Sequence, residues 1–368
     1  MSDKHDEAKA VLEVLATKGI DAKVVSEFSA SHIKKLVLDL APGVRFSKLQ
    51  AQRTAIAQAL GVDATQMRIE APMFGSVYVS IEYPNRNFEP FVLSPESFMD
   101  SIYHKSRVVE WTCKLAVIAG KRADGLIESF DLSSMPHLLV GGSCDKAGVD
   151  NFLDATMAGW MSALTPEQVK FILIDSEDHA FGKYADSPYL LVPPIENRSQ
   201  IAFAFQWLME EMEKRLKMFM RARVRNIHEF NGERPPVDPD MLGPRKKLDL
   251  FEEDDDPPAT VPYIVMVIND DARLKGVEEE GVGALAKITA RGRAAGLHVV
   301  IATRKKSTQV PTDILANIPG RIAFKAASPK ESRMLIDDTG AEKLFGSSDC
   351  LYRSNDGRLV RLLAPSGV

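Results

Sequence analysis

The pattern of apolar and polar residues divides the chain into two parts. In the first 130 residues, apolar residues recur in some segments about every 3.6 residues, as in a helix, and in others every second residue, as in a strand. The helical segments are Asp6–Lys18 and Arg53–Leu60, and the strand-like segments are Leu36–Leu40, Val77–Ile81 and Lys114–Ala119. This mixture predicts a small α+β domain over residues 1–130.

From Pro136 onward, apolar strands alternate regularly with helices. The strands are predicted at Leu138–Val140, Phe171–Ile174, Val261–Ile268, Leu297–Ala302 and Arg321–Ala326, and two of the helices at Ile201–Phe219 and Leu285–Ala295. Apolar strands separated by helices are typical of a parallel sheet that is covered on both faces. We therefore expect an α/β domain over residues 131–368. Its Pro- and acid-rich segment 232–259 cannot bury a core and is predicted to be a mobile insert.

Charge and cysteine content narrow the classes of function. The net charge of the 368 residues is −5, so DNA contact would have to come from a local basic patch. Three cysteines without CxxC spacing and seven histidines without ligand spacing argue against a metal site, and they favour the reducing cytoplasm. No apolar run approaches the ~20 residues that span a bilayer. No membrane partner is expected.

The segment Met135–Asn151 has the context of a phosphate-binding P-loop. An apolar strand, Leu138–Val140, runs into a glycine turn, and a helical pattern follows. In a P-loop, backbone N–H groups and the helix N-terminus face an anion. The chain departs from the pattern G-x-x-x-x-G-K-[ST] at its most important places. Counted from Gly142, the lysine position holds Gly148 and the position of the magnesium-binding hydroxyl holds Val149.

Two interpretations of this loop are open. It is either a plain strand-to-helix turn without a ligand, or a remnant formed by Gly142, Ser143 and Lys146 that binds ATP and magnesium weakly. Lys146 precedes the usual lysine position by two residues, so it would reach a phosphate only if the loop refolded. No tightly bound cofactor and no metal site are predicted.

A series of short motifs follows the P-loop context in a fixed order. They are Ile174-Asp175, Glu211-Met-Glu-Lys-Arg215, Pro262-Tyr-Ile-Val265, Arg293-Ala-Ala-Gly-Leu-His298 and Ala316-Asn-Ile-Pro-Gly-Arg321. Together they resemble the motor module of the FtsK/SpoIIIE family of DNA translocases. The resemblance covers about residues 30 to 365 and does not extend to the family's membrane-spanning and winged-helix parts.

The resemblance implies a RecA-like P-loop NTPase fold, in which a parallel sheet covered by helices is preceded by a small α+β domain. It also implies a homo-oligomer, a hexameric ring in the family, with duplex DNA or another translocase or assembly protein as partner. Arg293 matches the arginine that the family presents to a neighbouring subunit's nucleotide. Arg293 and Arg321 are therefore predicted to lie at a subunit interface, although Arg293 also suits the end of its helix.

The catalytic positions depart from the family's pattern beyond the lysine and hydroxyl. Asn269-Asp270 stands where the family has Asp-Glu, and Arg304 stands where it has a glutamine that senses the γ-phosphate. Asp145 adds a negative charge inside the phosphate cradle, and Asn269 is a poorer ligand for magnesium, which prefers anionic oxygen. A register slip of one residue would instead make Asp270 the metal ligand and Asp271 the base. Several parts of the machinery for phosphoryl transfer are altered together.

The favoured hypothesis is a pseudo-translocase, an ATPase-inactive ring-forming or scaffold module that binds duplex DNA without sequence specificity. The candidate DNA contact is the basic cluster Arg304, Lys305 and Lys306, which is otherwise a solvated charge run. A second candidate is the group Arg221, Arg223 and Arg225. Two other functions remain as alternatives: a divergent but active ATP-dependent DNA translocase, and a protein-interaction adaptor without DNA binding.

Overall fold

The computed structural model describes residues 3–29, 33–70, 78–85, 90–94, 96, 98, 114–175, 179–232, 258–305, 308, 310–346, 348–354 and 356–366. The helices are α1 (Asp3–Thr17), α2 (Phe46–Gln50), α3 (Arg53–Leu60), α4 (Lys146–Ala163), α5 (Arg198–Arg221), α6 (Ile227–Phe230), α7 (Glu279–Arg291), α8 (Thr312–Ala316) and α9 (Pro329–Ile336). The strands are β1 (Ala22–Ser29), β2 (Ile33–Leu40), β3 (Arg68–Glu70), β4 (Tyr78–Pro84), β5 (Ala116–Lys121), β6 (Ile127–Asp131), β7 (His137–Gly141), β8 (Val169–Ile174), β9 (Tyr263–Ile268), β10 (Leu297–Thr303), β11 (Gly320–Ala323), β12 (Asp349–Arg353) and β13 (Leu359–Leu363).

The N-terminal part is a small α+β domain, as predicted. Its four strands form an antiparallel sheet in the order β1-β2-β4-β3. Apolar side chains of α1, α3 and the sheet form one core, in which Val11, Leu15, Leu36, Ile56 and Ile81 are buried. Helix α3 ends at Gly61, whose φ of 64° is the left-handed conformation that glycine adopts without a steric penalty.

The larger sheet has nine strands in the order β6-β5-β13-β12-β11-β7-β10-β9-β8. Strands β11, β7, β10, β9 and β8 are parallel, as predicted, whereas β12, β13, β5 and β6 pair antiparallel. Two hydrophobic clusters cover the two faces of the sheet. One includes Phe152 and Trp160 of α4, and the other includes Phe205 and Leu208 of α5 with Leu285 of α7. The sheet is therefore mixed, and its parallel part has helices on both faces.

Strand β5 overlaps the strand predicted at Lys114–Ala119, within the residues 1–130 assigned to the first domain. In the structure it forms a hairpin with β6 at the edge of the nine-stranded sheet. The link is the pairing of Leu363 in β13 with Lys121 in β5. Alternation of apolar residues predicts a strand but not its partner, because strand pairing is set by contacts that are distant in the chain.

Three predictions fall wholly or partly on residues outside the described ranges. The insert at 232–259 is described only at its ends, and Val77 and Lys306 are not described. Within the described ranges, no helix is both long and apolar enough to cross a membrane.

The direction of the parallel strands determines where the polar residues meet. Strands β7, β8, β9 and β10 all end at the same edge of the sheet, because parallel neighbours are in register from His137 to Gly141 and from Tyr263 to Ile268. Ligand sites of open parallel sheets lie at this carboxyl edge. The residues that follow these strands include Ser143, Asp175 and Asn269.

Candidate functional site

The loop between β7 and α4 is closed by its own aspartate. Asp145 is the N-cap of α4, and its Oδ1 accepts a hydrogen bond from the Gly148 N–H at 3.1 Å. Its Oδ2 accepts from the Ser348 N–H, also at 3.1 Å. An N-cap carboxylate satisfies donors at a helix start, the same donors that face the anion in a P-loop. Burial raises the pKa of Asp145, although these two N–H groups act in the opposite direction.

A second carboxylate, from Glu331 in α9, binds the middle of the loop. Its Oε1 accepts from the Ser143 N–H at 2.9 Å, and its Oε2 accepts from the Ser143 hydroxyl at 2.9 Å and from the Ala327 N–H at 2.8 Å. The Cys144 N–H donates to the carbonyl of Lys325 at 3.0 Å. The N–H groups of Ser143, Cys144 and Gly148 are thus all bonded to protein acceptors.

The next two positions also differ from those of a working P-loop. A Cβ added to Gly148 would lie 2.6 Å from Asp145 Oδ2 and 2.7 Å from Phe324 Cδ1, so a lysine there would require both groups to move. Val149 is fully buried in the core that includes Phe152. It has no hydroxyl for a metal ion, and its side chain contributes to packing. Lys146 lies exposed in the first turn of α4, and the Gly142 N–H donates to the carbonyl of Thr303 at 3.1 Å.

Asn269, at the position where the family has the aspartate of its acidic Asp-Glu motif, is a buried amide that contacts an arginine. Asn269 follows β9 with only 2 % of its surface exposed, and its Oδ1 accepts from Arg304 Nη2 at 2.6 Å. Its Nδ2 donates to Asp175 Oδ1 at 3.4 Å. Arg304 also donates to the Asn269 carbonyl and to Asp150 Oδ1 of α4. The guanidinium therefore joins the P-loop helix to the strand β9.

This arrangement does not fit a nucleotide with its magnesium ion. In P-loop NTPases, the ion is held by the P-loop hydroxyl and the acidic-motif aspartate. The corresponding residues here are Val149 and Asn269, neither of which is an anionic oxygen ligand. The cation beside Asn269 is Arg304, and the groups at the phosphate-binding N–H donors are the carboxylates of Asp145 and Glu331.

The structure also distinguishes between the two registers of the acidic motif. The Asn269 N–H continues the strand ladder to the carbonyl of Ile174, and it is the Asn269 side chain that contacts Asp175 and Arg304. Asp271 is fully buried, and its Oδ2 accepts from the Thr308 hydroxyl at 2.7 Å. Asp270 begins a turn in which its carbonyl accepts from the Arg273 N–H. The geometry does not support a slipped register.

The two described residues of the basic cluster that was predicted to contact DNA differ in exposure. The Arg304 side chain is 11 % exposed and directed toward Asn269 and Asp150, whereas Lys305 is exposed. Lys306 lies outside the described residues. Arg304 directly follows a strand at the carboxyl edge, where carboxylate and amide oxygens lie close by, and its guanidinium donates hydrogen bonds to them.

The two predicted interface arginines also differ in exposure, one being buried and the other exposed. Arg321 is 7 % exposed and donates to the carbonyls of Leu315, Ile318 and Leu335 at 2.9–3.3 Å. Its guanidinium binds main-chain carbonyls around α8 and α9, and in this arrangement it is not available to another subunit. Arg293 lies exposed in the turn that follows α7.

Sequence reasoning missed Glu331, Asp150 and Ser348. The pattern Ser328-x-x-Glu331 is a capping box that marks a helix start, and the Ser328 hydroxyl does accept from the Glu331 N–H at 3.3 Å. Nothing local indicates that the carboxylate of Glu331 would reach Ser143, which is 188 residues away.

Comparison with known proteins identifies the family. Residues 104–313 match the model of the FtsK/SpoIIIE family, and residues 1–85 match the model of the FtsK alpha domain. The chain belongs to the FtsK/SpoIIIE family. It is 31% identical over 351 residues to the DNA translocase FtsK of Corynebacterium efficiens, a match that covers 94% of this chain and 35% of the relative. The DNA translocase FtsK of Mycobacterium tuberculosis is 32% identical over 348 residues, a match that covers 94% of this chain and 40% of the relative. This FtsK/SpoIIIE member therefore spans less than half the length of these relatives.

Two solved structures share the fold at low sequence identity. The pCW3 conjugation coupling protein TcpA, in a monomer form with ATPγS, has a TM-score of 0.61 at 17% identity, with 99% of this chain and 95% of that chain covered. The cytoplasmic domain of the type VII secretion ATPase EccC of Thermomonospora curvata has a TM-score of 0.54 at 18% identity, with 69% and 29% covered. The FtsK/SpoIIIE member thus has the fold of P-loop ATPases, whereas its P-loop carries the substitutions described above.

Proposed function

We propose that this chain is a pseudo-translocase, an FtsK-type module that does not hydrolyse ATP and acts as a structural subunit of a DNA-associated assembly. The observation that carries the proposal is the occupation of the P-loop by protein groups. The carboxylates of Asp145 and Glu331 bind the loop N–H groups, and Arg304 binds beside Asn269. The fold is kept while the groups that bind phosphate and metal are replaced.

The electrostatics of the loop oppose nucleotide binding. A phosphate at the loop would have to displace Asp145 or lie beside it, and two unit charges 4 Å apart repel by about 4 kcal/mol at an effective dielectric constant of about 20. That repulsion corresponds to nearly three orders of magnitude in affinity. The lysine that would offset it is absent, because its position holds Gly148.

The test is ATP binding by calorimetry, together with phosphate release at saturating duplex DNA. We expect no binding heat and a rate equal to that of a blank without protein. The comparison protein is a rebuilt variant with Asp145→Gly, Gly148→Lys, Val149→Thr, Asn269→Asp and Arg304→Gln, which should regain ATP binding. Turnover of the native chain above about 1 per second, an ordinary rate for phosphoryl transfer, would disprove the inactive assignment.

Assembly with itself and with DNA forms the second part of the proposal. It is supported by membership of a family whose named relatives are DNA translocases, and by Arg293, which is exposed at the position of the family's interface arginine. Interfaces of this head-to-tail kind close into rings or continue as filaments. Sedimentation at high protein concentration, with and without duplex DNA, should show oligomers that Arg293→Ala weakens. A monomer under both conditions would favour the adaptor function instead.

One observation favours the alternative of an active translocase. The identity of 31–32% to proteins named DNA translocases extends over 94% of the chain. In that case Lys146, exposed in the first turn of α4, would be the residue that reaches phosphate after the loop opens. Lys146→Ala would then abolish turnover, whereas for a pseudo-translocase it should change nothing.

A further inference from the structure

The P-loop is connected to a charged turn at the start of β12. Oδ2 of Asp145 accepts from the N–H of Ser348, which has a φ of 69°. This left-handed conformation is unusual for a residue with a side chain, and here it belongs to the turn that brings the Ser348 N–H to Asp145. The next residue, Asp349, is fully buried, and its Oδ2 accepts from the Phe345 N–H at 2.8 Å.

Asp349 is bound in turn by an arginine that reaches the small domain. Arg361 of β13 donates to both carboxylate oxygens of Asp349, at 3.0 and 2.7 Å, and its guanidinium lies 4.2 Å from the ring centre of Phe345. Its Nη1 is 3.6 Å from Oε2 of Glu82 in β4. Oε1 of Glu82 accepts from Lys35 Nζ at 3.0 Å.

These charges are buried, so the positions of their partners are strongly constrained. The side chains of Arg361, Asp349 and Glu82 are 4 %, 0 % and 8 % exposed. Burial alone would raise the pKa of Glu82, but the charges of Lys35 and Arg361 outweigh burial and lower it. Removal of one partner from such a network leaves an uncompensated buried charge, which the surrounding structure must rearrange to accommodate.

We propose that Asp145, Ser348 and the ion network Asp349–Arg361–Glu82–Lys35 form an interdomain lock, which fixes the small domain to the large sheet while the P-loop is closed. Opening of the loop then loosens the small domain, and loosening of the small domain opens the loop. The lock operates without nucleotide, so it does not depend on whether the chain hydrolyses ATP. It gives the module one fixed domain arrangement, which suits a structural subunit.

Hydrogen–deuterium exchange on the whole chain without nucleotide tests the lock in both directions. Glu82→Gln keeps the shape of the side chain and removes its charge, and it should accelerate exchange in peptides over residues 141–149. Coupled sites typically influence each other 5- to 150-fold, and we expect about tenfold here. Asp145→Asn should in turn accelerate exchange over residues 33–40 and 78–84, because coupling is reciprocal.

The matched control is Glu7→Gln, the same substitution in the same domain. Glu7 pairs with Lys34 at 2.8 Å and has no described contact with the large sheet, so the exchange of residues 141–149 should stay at the native rate. If Glu82→Gln also leaves that rate unchanged, or Asp145→Asn leaves the small domain unchanged, the lock does not exist. If Glu82→Gln unfolds the small domain, Lys35→Met at a partly exposed site replaces it and should give a smaller acceleration of the same peptides.

Discussion

Polar side chains at the two edges of the parallel strands meet different surroundings. At the carboxyl edge, Asp145, Glu331 and Arg304 keep charged side chains and bind protein partners. At the amino edge, His137 and His298 are fully buried, and their Nε2 atoms have no hydrogen-bond partner within the described part of the chain. The charged side chains named at the carboxyl edge are thus paired with protein groups, whereas the two buried histidine rings at the amino edge lack such partners for their Nε2 atoms within the described residues.

The state of each histidine follows from its contacts. The Val299 N–H donates to His137 Nδ1 at 3.1 Å, so this nitrogen is unprotonated. His298 Nδ1 lies 2.8 Å from the carbonyl of Pro136, which can only accept, so this nitrogen carries a proton. Burial lowers the pKa of His137 to about 3, with a contribution from His298, and lowers the pKa of His298 to about 4. Both rings are neutral at neutral pH.

The largest predicted effect is therefore the response of the amino edge to acid. The unfolded chain binds protons near pH 6.5 and the folded chain does not, so stability is complete above pH 6.5 and falls toward the folded pKa values of about 3 and 4. At pH 5 the loss is about 2 kcal/mol for each histidine. Urea unfolding at pH 7 and pH 5 measures it.

The interdomain lock offers a contrast in the same titration. Glu82 of the interdomain lock has a lowered pKa, so its contribution is lost only as the pH falls below the ordinary glutamate value of 4.5. A loss between pH 6.5 and 5 therefore does not come from Glu82, and Asp145, whose pKa is raised by burial, would change stability in the opposite direction. A double variant with His137→Asn and His298→Asn should have a flatter profile over this interval. If its slope equals that of the native chain, the loss comes from other groups.

The next effect is the removal of the cation at the carboxyl edge. Arg304→Ala removes the group that binds Asn269 and Asp150. Asp150 is 45 % exposed and can be rehydrated, so its loss of a partner costs little. Asn269 is buried, and a buried polar group left without its partner typically costs about 1–3 kcal/mol, so we expect a loss of about 2 kcal/mol. Urea unfolding measures this loss. Lys305→Ala, at the exposed neighbour, should stay within about 0.5 kcal/mol. If both variants lose equally little stability, Arg304 faces solvent.

The contrast between the edges also shows what sequence could and could not predict. The strands β7 to β10 are predicted by continuous apolar runs, and the substitutions at Gly148, Val149 and Asn269 can be recognised in the sequence. The hydrogen-bond partners of the loop and of Asn269 cannot be predicted from the sequence, because Ser143 and Glu331 are 188 residues apart and Asn269 and Arg304 are 35 apart. A run of basic residues looks like a single patch in the sequence, whereas in the structure Arg304 and Lys305 separate into a buried and an exposed position.

The smallest predicted effect is on the salt dependence of DNA binding, and it tests whether Lys305 is available to DNA while Arg304 is not. Phosphate contacts release counterions, and each neutralised phosphate adds about −0.9 to the slope of log affinity against log salt for duplex DNA. Because Arg304 is directed inward, Lys305→Ala with Lys306→Ala should flatten the slope by at most about 1.8 for each engaged subunit. The loss should be equal for every DNA sequence, since lysines on a loop contact phosphates and do not read base edges.

The matched control for that measurement is Arg223→Ala with Arg225→Ala, two exposed arginines after the end of α5. Helix α5 follows β8 and its end lies near the amino edge, where Arg215 binds the carbonyls of Pro262 and Ala295. If DNA contacts the carboxyl edge, this control leaves the salt slope unchanged. If the control flattens the slope and the lysine variant does not, DNA binds at the amino edge. If neither variant changes it and no binding occurs at low salt, the module works without DNA, because the net charge of −5 offers no general attraction.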